Sequence, residues 1–240
     1  MKKKSIIILH GWGLSGEKFN PLVKVLSRAG YDVFAPDLPG FGSSQVPDRI
    51  YELSDYAEFV RAYIKKHSIS QPIILGHSFG GRIALKLSHV YPSIASALIL
   101  TGTPGYTPVP GTRLKLFILG AKFGKLITSL WPISLVKDWI RSRYYYAVGA
   151  RDYYRANSTM REIFKRIVTE SLVAPMKCVS VPCLLVWGEQ DTITPLWIAR
   201  KMSEVIPNAT LEIIEGAAHN VPYVHPDKFS TRVLAFIRTI

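Results

Sequence analysis

Covalent chemistry in this 240-residue chain could come from one serine set among glycines, six histidines and a small number of carboxylates. The serine stands in Gly76-His77-Ser78-Phe79-Gly80-Gly81, directly after the apolar run Ile73–Leu75 and at the head of the amphipathic stretch Phe79–Val90. A G-x-S-x-G between a strand and a helix forces its serine into a sharp, strained turn. Glycine at the flanking positions keeps side chains out of that turn, and the hydroxyl is lifted to the sheet edge above the positive end of the helix. The competing use of such a segment, phosphate cradling, calls for Gly-Lys-Ser/Thr or G-x-G-x-x-G, and residues 76–81 contain neither. Ser78 is the candidate nucleophile.

An alcohol is a weak nucleophile without a base, and the base must itself be oriented. His219, in Glu215-Gly216-Ala217-Ala218-His219-Asn220, follows the last strand-like run, Leu211–Ile214, and so falls at the carboxyl edge. His225 stands where the final helix begins, and His67 and His89 lie within or at the ends of helices. His10 and His77 reach the edge but sit beside backbone turns, as turn-stabilising or pocket-wall residues. His219 is the candidate base. For the acid, Gly188-Glu189-Gln190-Asp191 follows the run Cys183–Trp187. Asp191 is preferred because Thr192-Ile193-Thr194-Pro195 leads straight into a helix, although capping that helix would be an ordinary use of the same residue. Glu189 is the alternative acid.

Acyl transfer also needs donors for a developing oxyanion, preferably fixed backbone N–H groups. Phe79, next to the serine, supplies one; Trp12, in His10-Gly11-Trp12-Gly13 after the first apolar run, supplies the second. The Trp12 indole then forms a pocket wall. This mechanism requires no metal or organic cofactor.

The elements that must position these groups are legible as short, near-continuous Ile/Leu/Val runs alternating with longer amphipathic stretches. The runs are Ile6–Leu9, Asp32–Ala35, Ile73–Leu75, Ala97–Leu100, Cys183–Trp187 and Leu211–Ile214. Such runs read as parallel strands buried on both faces, and the intervening helices read as crossovers of a doubly wound α/β sheet. Ligands of these sheets sit beyond the carboxyl ends of the strands, where all the candidate residues fall.

The alternation breaks once. From Thr101 to Pro182 no strand-like run occurs, only prolines followed by helical stretches such as the Leu114, Phe117, Ile118, Ala121 stripe and Ile163–Leu172. We therefore expect a helical cap at residues 105–177, inserted after the fourth strand into a core of residues 1–104 and 178–240. The cap is rich in aromatic residues, and Phe117, Trp139 and Tyr144 join Trp12 and His77 as candidate substrate-binding residues. It also concentrates charge. The chain carries 30 Lys and Arg against 17 Asp and Glu, a net +13, and nine of those charges arise between Gly105 and Lys177. An acidic partner or an anionic lipid surface would suit such a segment, as would plain solvation of helix faces. Nucleic acid is not expected, since charge is the sole argument for it.

The composition, 48% hydrophobic and 20% charged, excludes disordered and low-complexity classes. Cys178 and Cys183 are too few for a disulfide scaffold and are expected as reduced, buried thiols. Met1-Lys2-Lys3-Lys4 precedes an apolar run too short for a signal peptide or membrane span, so a cytoplasmic location is expected.

Taken in order, His10-Gly11-Trp12-Gly13, Asp37-Leu38-Pro39-Gly40-Phe41-Gly42-Ser43, Gly76 to Gly81, Gly188 to Asp191, and His219 resemble the α/β-hydrolase superfamily over nearly the whole chain. Within it they resemble the cap-bearing, esterase-like members. The resemblance implies Ser78, Asp191 and His219 as a triad and Trp12 and Phe79 as the oxyanion hole. Two departures stand out. Only Met1 to Ser5 precede the first strand, which leaves no residues for the family's leading antiparallel hairpin, so a sheet of about six strands, all parallel, is expected. Ala217-Ala218 also stands before the histidine where the family often has glycine.

A serine at the elbow argues against haloalkane dehalogenases and epoxide hydrolases, which use aspartate there. Hydrolysis of a small-molecule carboxylic ester is the leading expectation, with similarity to carrier-protein methyl ester esterases and monoacylglycerol-type lipases. Carbon–carbon bond hydrolysis on the same triad and a non-catalytic ligand-binding member are the alternatives.

Overall fold

The computed structural model describes residues 3–106 and 158–240. Its centre is a single six-stranded sheet with every strand parallel: β1 Ser5–Leu9, β2 Asp32–Phe34, β3 Ile73–His77, β4 Ala97–Thr101, β5 Cys183–Gly188 and β6 Ala209–Ile214. The order is β2-β1-β3-β4-β5-β6. Ile6 to Leu9 are all fully buried because β1 lies inside the sheet with helices on both faces. Successive side chains alternate between those faces. Ile6 and Ile8 join an apolar cluster with Leu22, Leu26, Phe229 and Val233, while Ile7 and Leu9 join another with Val60, Ile83 and Leu87.

The helices covering the first face are α1 Asn20–Arg28, entered through a 3-10 turn at Gly16–Phe19, and the C-terminal helix Pro226–Ile237. On the second face lie α2 Leu53–Lys66, α3 Phe79–Val90, α4 Ser158–Thr169, α5 Val173–Lys177 and α6 Leu196–Val205. A four-residue helix, α7 Val221–Val224, precedes the C-terminal helix, which is therefore α8. The hydrophobic pattern misses α7 because four residues, with Pro222 in the first turn and Pro226 just beyond the end, are too few to show a helical period.

The stretch Ile163–Leu172, expected as continuous helix, ends as helix at Thr169, and α5 resumes at Val173. A buried cation explains the break. Arg82, on α3 and 3% exposed, donates from Nη2 to the carbonyls of Ile167 (2.7 Å) and Glu170 (2.6 Å). From Nη1 it donates to the carbonyl of Pro104 at 2.6 Å. Orphaned C-terminal carbonyls and the negative end of α4 are thereby satisfied by one guanidinium. Burial lowers the Arg82 pKa to about 10, which leaves it charged at neutral pH. One turn further along α3, Lys86 pairs with the Glu170 carboxylate at 2.9 Å.

Phe117, Trp139, Tyr144 and most of the basic excess lie outside the described residues. Cys183 is buried as expected, but Cys178 is exposed, because it closes the short α5 at the surface before the chain turns into β5. Among the described residues, no helix is long and apolar enough to cross a membrane.

Candidate active site

Ser78 stands at the turn between β3 and α3 with φ 53° and ψ −111°, a left-handed conformation that a residue bearing a Cβ seldom adopts. Hydrogen bonds and close packing hold it there. Its N–H donates to the Thr101 carbonyl at 2.9 Å, and its own carbonyl accepts the Gly81 N–H at 3.0 Å. The flanking glycines are required by proximity. A Cβ on Gly80 would lie 2.0 Å from the Leu9 carbonyl oxygen, and one on Gly76 would lie 2.5 Å from the Gly81 Cα. Ser78 is half-buried, with α3 starting beneath it.

His219 reaches the same rim from the loop after β6. Its imidazole lies against Gly102, the residue following β4, where an added Cβ would sit 2.7 Å from Cε1. Gly102 itself has φ +55°, so both conformation and space call for glycine there. Thr101, whose carbonyl holds Ser78, is the neighbour of Gly102, so the serine and the imidazole each meet the same short piece of chain.

The Nδ1 of His219 lies 2.8 Å from Asp191 Oδ2. The Asp191 side chain is 1% exposed and that of His219 13%. Asp191 divides its two oxygens between two tasks. Oδ1 accepts the N–H groups of Ile193 (2.9 Å) and Thr194 (2.8 Å), while Oδ2 accepts the Thr194 hydroxyl at 2.7 Å together with the imidazole. The helix cap at α6 is Pro195, so Asp191 organises the turn before the helix and does not cap it. Burial pushes the Asp191 carboxyl upward, but hydrogen bonds from His219 and Thr194 outweigh that and its pKa lies below the ordinary value. Glu189 turns elsewhere, accepting the Gly216 N–H at 3.0 Å on the exposed surface.

His77 is wholly interior. Its Nε2 donates to the His219 carbonyl at 3.1 Å, and the two rings are 4.9 Å apart. Burial, with the His219 ring beside it, pulls the His77 pKa down to about 3, so the ring is neutral. His10 is likewise buried, donating from Nδ1 to the Gly11 carbonyl (2.8 Å) and accepting the Leu38 N–H on Nε2 (3.0 Å). Its pKa is lowered by burial. Both histidines brace backbone around the rim.

Trp12 follows them. Its indole meets Phe41, Phe79 and Phe164 edge-on, with ring centroids 4.8, 5.3 and 5.0 Å away. Phe164 comes from α4, so the segment that returns toward the core contributes to this aromatic wall. Among the described residues, the N–H groups of Trp12 and Phe79 meet no backbone carbonyl.

The segment Gly11-Trp12-Gly13-Leu14-Ser15-Gly16 also spells G-x-G-x-x-G after a strand, the pattern of a dinucleotide-binding turn. The geometry argues against that use. The Gly16 N–H is taken by Asp37 Oδ1 at 2.7 Å, and a 3-10 turn follows where the motif needs an α-helix. Asp37 also accepts the Ser43 N–H and hydroxyl at 2.8 Å each, and so ties the loops after β1 and β2 together.

Sequence reasoning missed Gly102, Arg82 and the hydroxyl of Thr194. Gly102 and Arg82 act across long sequence separations and leave no local pattern. Thr194 had a signal, the hydroxyl at D-x-x-T spacing from the candidate acid. Among the described residues, no cluster of His, Cys, Asp and Glu could hold a metal ion.

A doubly wound parallel sheet, a strained serine at a strand–helix elbow and a buried carboxylate on a rim imidazole define a hydrolase-like architecture. Comparison makes the class specific. The sequence profile of the alpha/beta hydrolase family matches residues 6–232, and the chain belongs to that family. An uncharacterized hydrolase of Bacillus subtilis, YugF, is 26% identical over 251 residues, covering 98% of this chain and 90% of that protein. A bromoperoxidase from Bacillus anthracis superposes with a TM-score of 0.76 at 21% identity, covering 99% of this chain and 92% of that one. An esterase from Exiguobacterium antarcticum does so with a TM-score of 0.75 at 22% identity, again over 99% and 92%. At such identities the structural likeness speaks for the fold.

Proposed function

We propose that this protein is a serine hydrolase of carboxylic esters bearing an apolar acyl or aryl group, with Ser78, His219 and Asp191 as its triad. The observation carrying this reading is a hydroxyl held at φ 53° on the rim where an imidazole has its Nδ1 2.8 Å from a buried carboxylate. Asp191 keeps the Nδ1–H tautomer and leaves the Nε2 lone pair for a proton. Ser78 Oγ attacks the ester carbonyl carbon as His219 takes its proton, and the oxyanion is met by the N–H groups of Trp12 and Phe79. The imidazolium then returns the proton to the departing alcohol. Water, activated by the same imidazole, cleaves the acyl-enzyme and frees Ser78. Support for an apolar substrate comes from the edge-on ring cluster around Trp12. Phe117, Trp139 and Tyr144, outside the described residues, are kept in this proposal as substrate-binding candidates on the chemistry of their side chains alone.

A panel of chromogenic esters of graded acyl length tests the reading. Turnover that Ser78→Ala abolishes is expected. Turnover of a vinylogous diketone in place of esters would favour carbon–carbon hydrolysis, and binding of both without turnover would favour a non-catalytic role. The basic segment adds a second expectation: kcat/KM for an anionic ester declines with ionic strength more steeply than for a neutral one, because salt screens steering. Equal salt dependence would remove the argument for an acidic partner or surface.

A further inference from the structure

Thr194 touches two members of the proposed triad without having been given any part in it. It is 2% exposed, in the turn between β5 and α6. Its hydroxyl donates to Asp191 Oδ2 at 2.7 Å and lies 3.2 Å from His219 Nδ1. Its N–H donates to Asp191 Oδ1 at 2.8 Å. On its other side, the Thr194 carbonyl accepts the indole N–H of Trp187 at 2.7 Å, and Trp187 is fully buried in β5. One residue thus links the sheet interior to the carboxylate and, through it, to the imidazole.

A hydroxyl has a single hydrogen, and an ionised carboxylate is the strongest acceptor within reach, so that hydrogen points at Oδ2. The lone pairs of Thr194 Oγ1 therefore face Nδ1. The Nδ1–H meets carboxylate and hydroxyl oxygens on one side, at 2.8 and 3.2 Å. Packing alone would be served equally well by valine, which has the same shape and no donor. The backbone bonds to Oδ1 would hold the turn in either case.

We propose that Thr194 is a positioning residue for this site: its hydroxyl fixes Asp191 Oδ2 against His219 Nδ1 and takes a share of the carboxylate charge that the imidazole would otherwise receive. The effect on rate rests on the ester-hydrolase reading; the effect on the Asp191–His219 hydrogen bond does not. Among the described residues, the other titratable group facing the imidazole is the neutral His77, 4.9 Å away on β3, and substitutions at 194 leave it unchanged.

The test uses Thr194→Val, Thr194→Ala and Thr194→Ser in the full chain, with ester kinetics and the low-field proton resonance of His219 Nδ1–H read on each. Loss of one of four hydrogen bonds to a charged group lowers kcat about tenfold in Thr194→Val, with KM within about twofold. Thr194→Ser restores kcat. With one competing donor gone, Oδ2 becomes the stronger acceptor, so the resonance moves downfield in Thr194→Val and Thr194→Ala and returns in Thr194→Ser. An unmoved resonance in the valine and alanine variants overturns the proposal, as does a serine variant as slow as the valine one. Should the wild type show no Ser78-dependent ester turnover, the functional reading falls and the resonance alone decides the role of Thr194.

Discussion

Asp191 spends one oxygen on backbone and the other on side chains, and this division separates it from Glu189. Both residues follow β5 within three positions of its end, and composition alone left the choice open. The structure puts the Asp191 carboxylate inside, on His219, and the Glu189 carboxylate outside, on a backbone N–H. Asp191→Asn should therefore lower kcat by about 10⁴, by disturbing the imidazole tautomer, while Glu189→Gln leaves it near wild type. A larger loss in Glu189→Gln would reverse the assignment. That Ser78, Asp191 and His219 fall at the carboxyl edge of the sheet was readable because each lies in the few residues after a recognisable strand. The Thr194 hydroxyl was missed although D-x-x-T spacing allows the fourth residue to turn back upon the first, because Thr192-Ile193-Thr194-Pro195 reads first as the approach to a helix.

Elements matter here chiefly through close approach. Helix α3 starts so near β1 that a Cβ at Gly80 would meet the Leu9 carbonyl at 2.0 Å, backbone against backbone. Gly80→Ala should destabilise the fold by about 3 kcal/mol and abolish turnover together; a stable, active variant would show that the elbow can relax. Arg82 acts between elements, on α4, on the loop after β4 and on the carbonyl that follows α4. Arg82→Met leaves these buried carbonyls without a donor, at a cost of about 3 kcal/mol. For a chain of this size that is a fall in Tm of roughly 6–12 °C in calorimetry. An unchanged Tm would show that water replaces the guanidinium. The strands were legible because runs such as Ile6–Leu9 are apolar on both faces. The break after Thr169 was not legible, because its cause lies eighty-odd residues away on α3.

At the scale of the molecule, two buried neutral histidines set an acid limit on stability. His10 and His77 both have pKa values below the ordinary 6.5, the latter at about 3, and both are held neutral by desolvation. Unfolding exposes them, and the unfolded chain then binds protons that the folded one refuses. Their contribution is complete above about pH 6.5 and is lost as pH falls below it, for His77 down toward 3 at about 1.4 kcal/mol per pH unit. Asp191, with its lowered pKa, adds a further loss on the acid side, as its carboxylate is protonated. His77→Gln keeps a donor for the His219 carbonyl but removes the titration, so denaturation midpoints should depend less steeply on pH below 6.5 than in wild type. Identical slopes would mean that His77 is protonated in the fold. The sheet order, with β2 on one side of β1 and β3 on the other, puts the loops after β1 and β3 together, and the proposed chemistry depends on that meeting point. The most direct measurement is mass mapping of the protein trapped with a fluorophosphonate. A single adduct on Ser78, absent in Ser78→Ala and strongly slowed in His219→Ala, is the predicted result; an unmodified Ser78, or labelling indifferent to His219, would contradict the account.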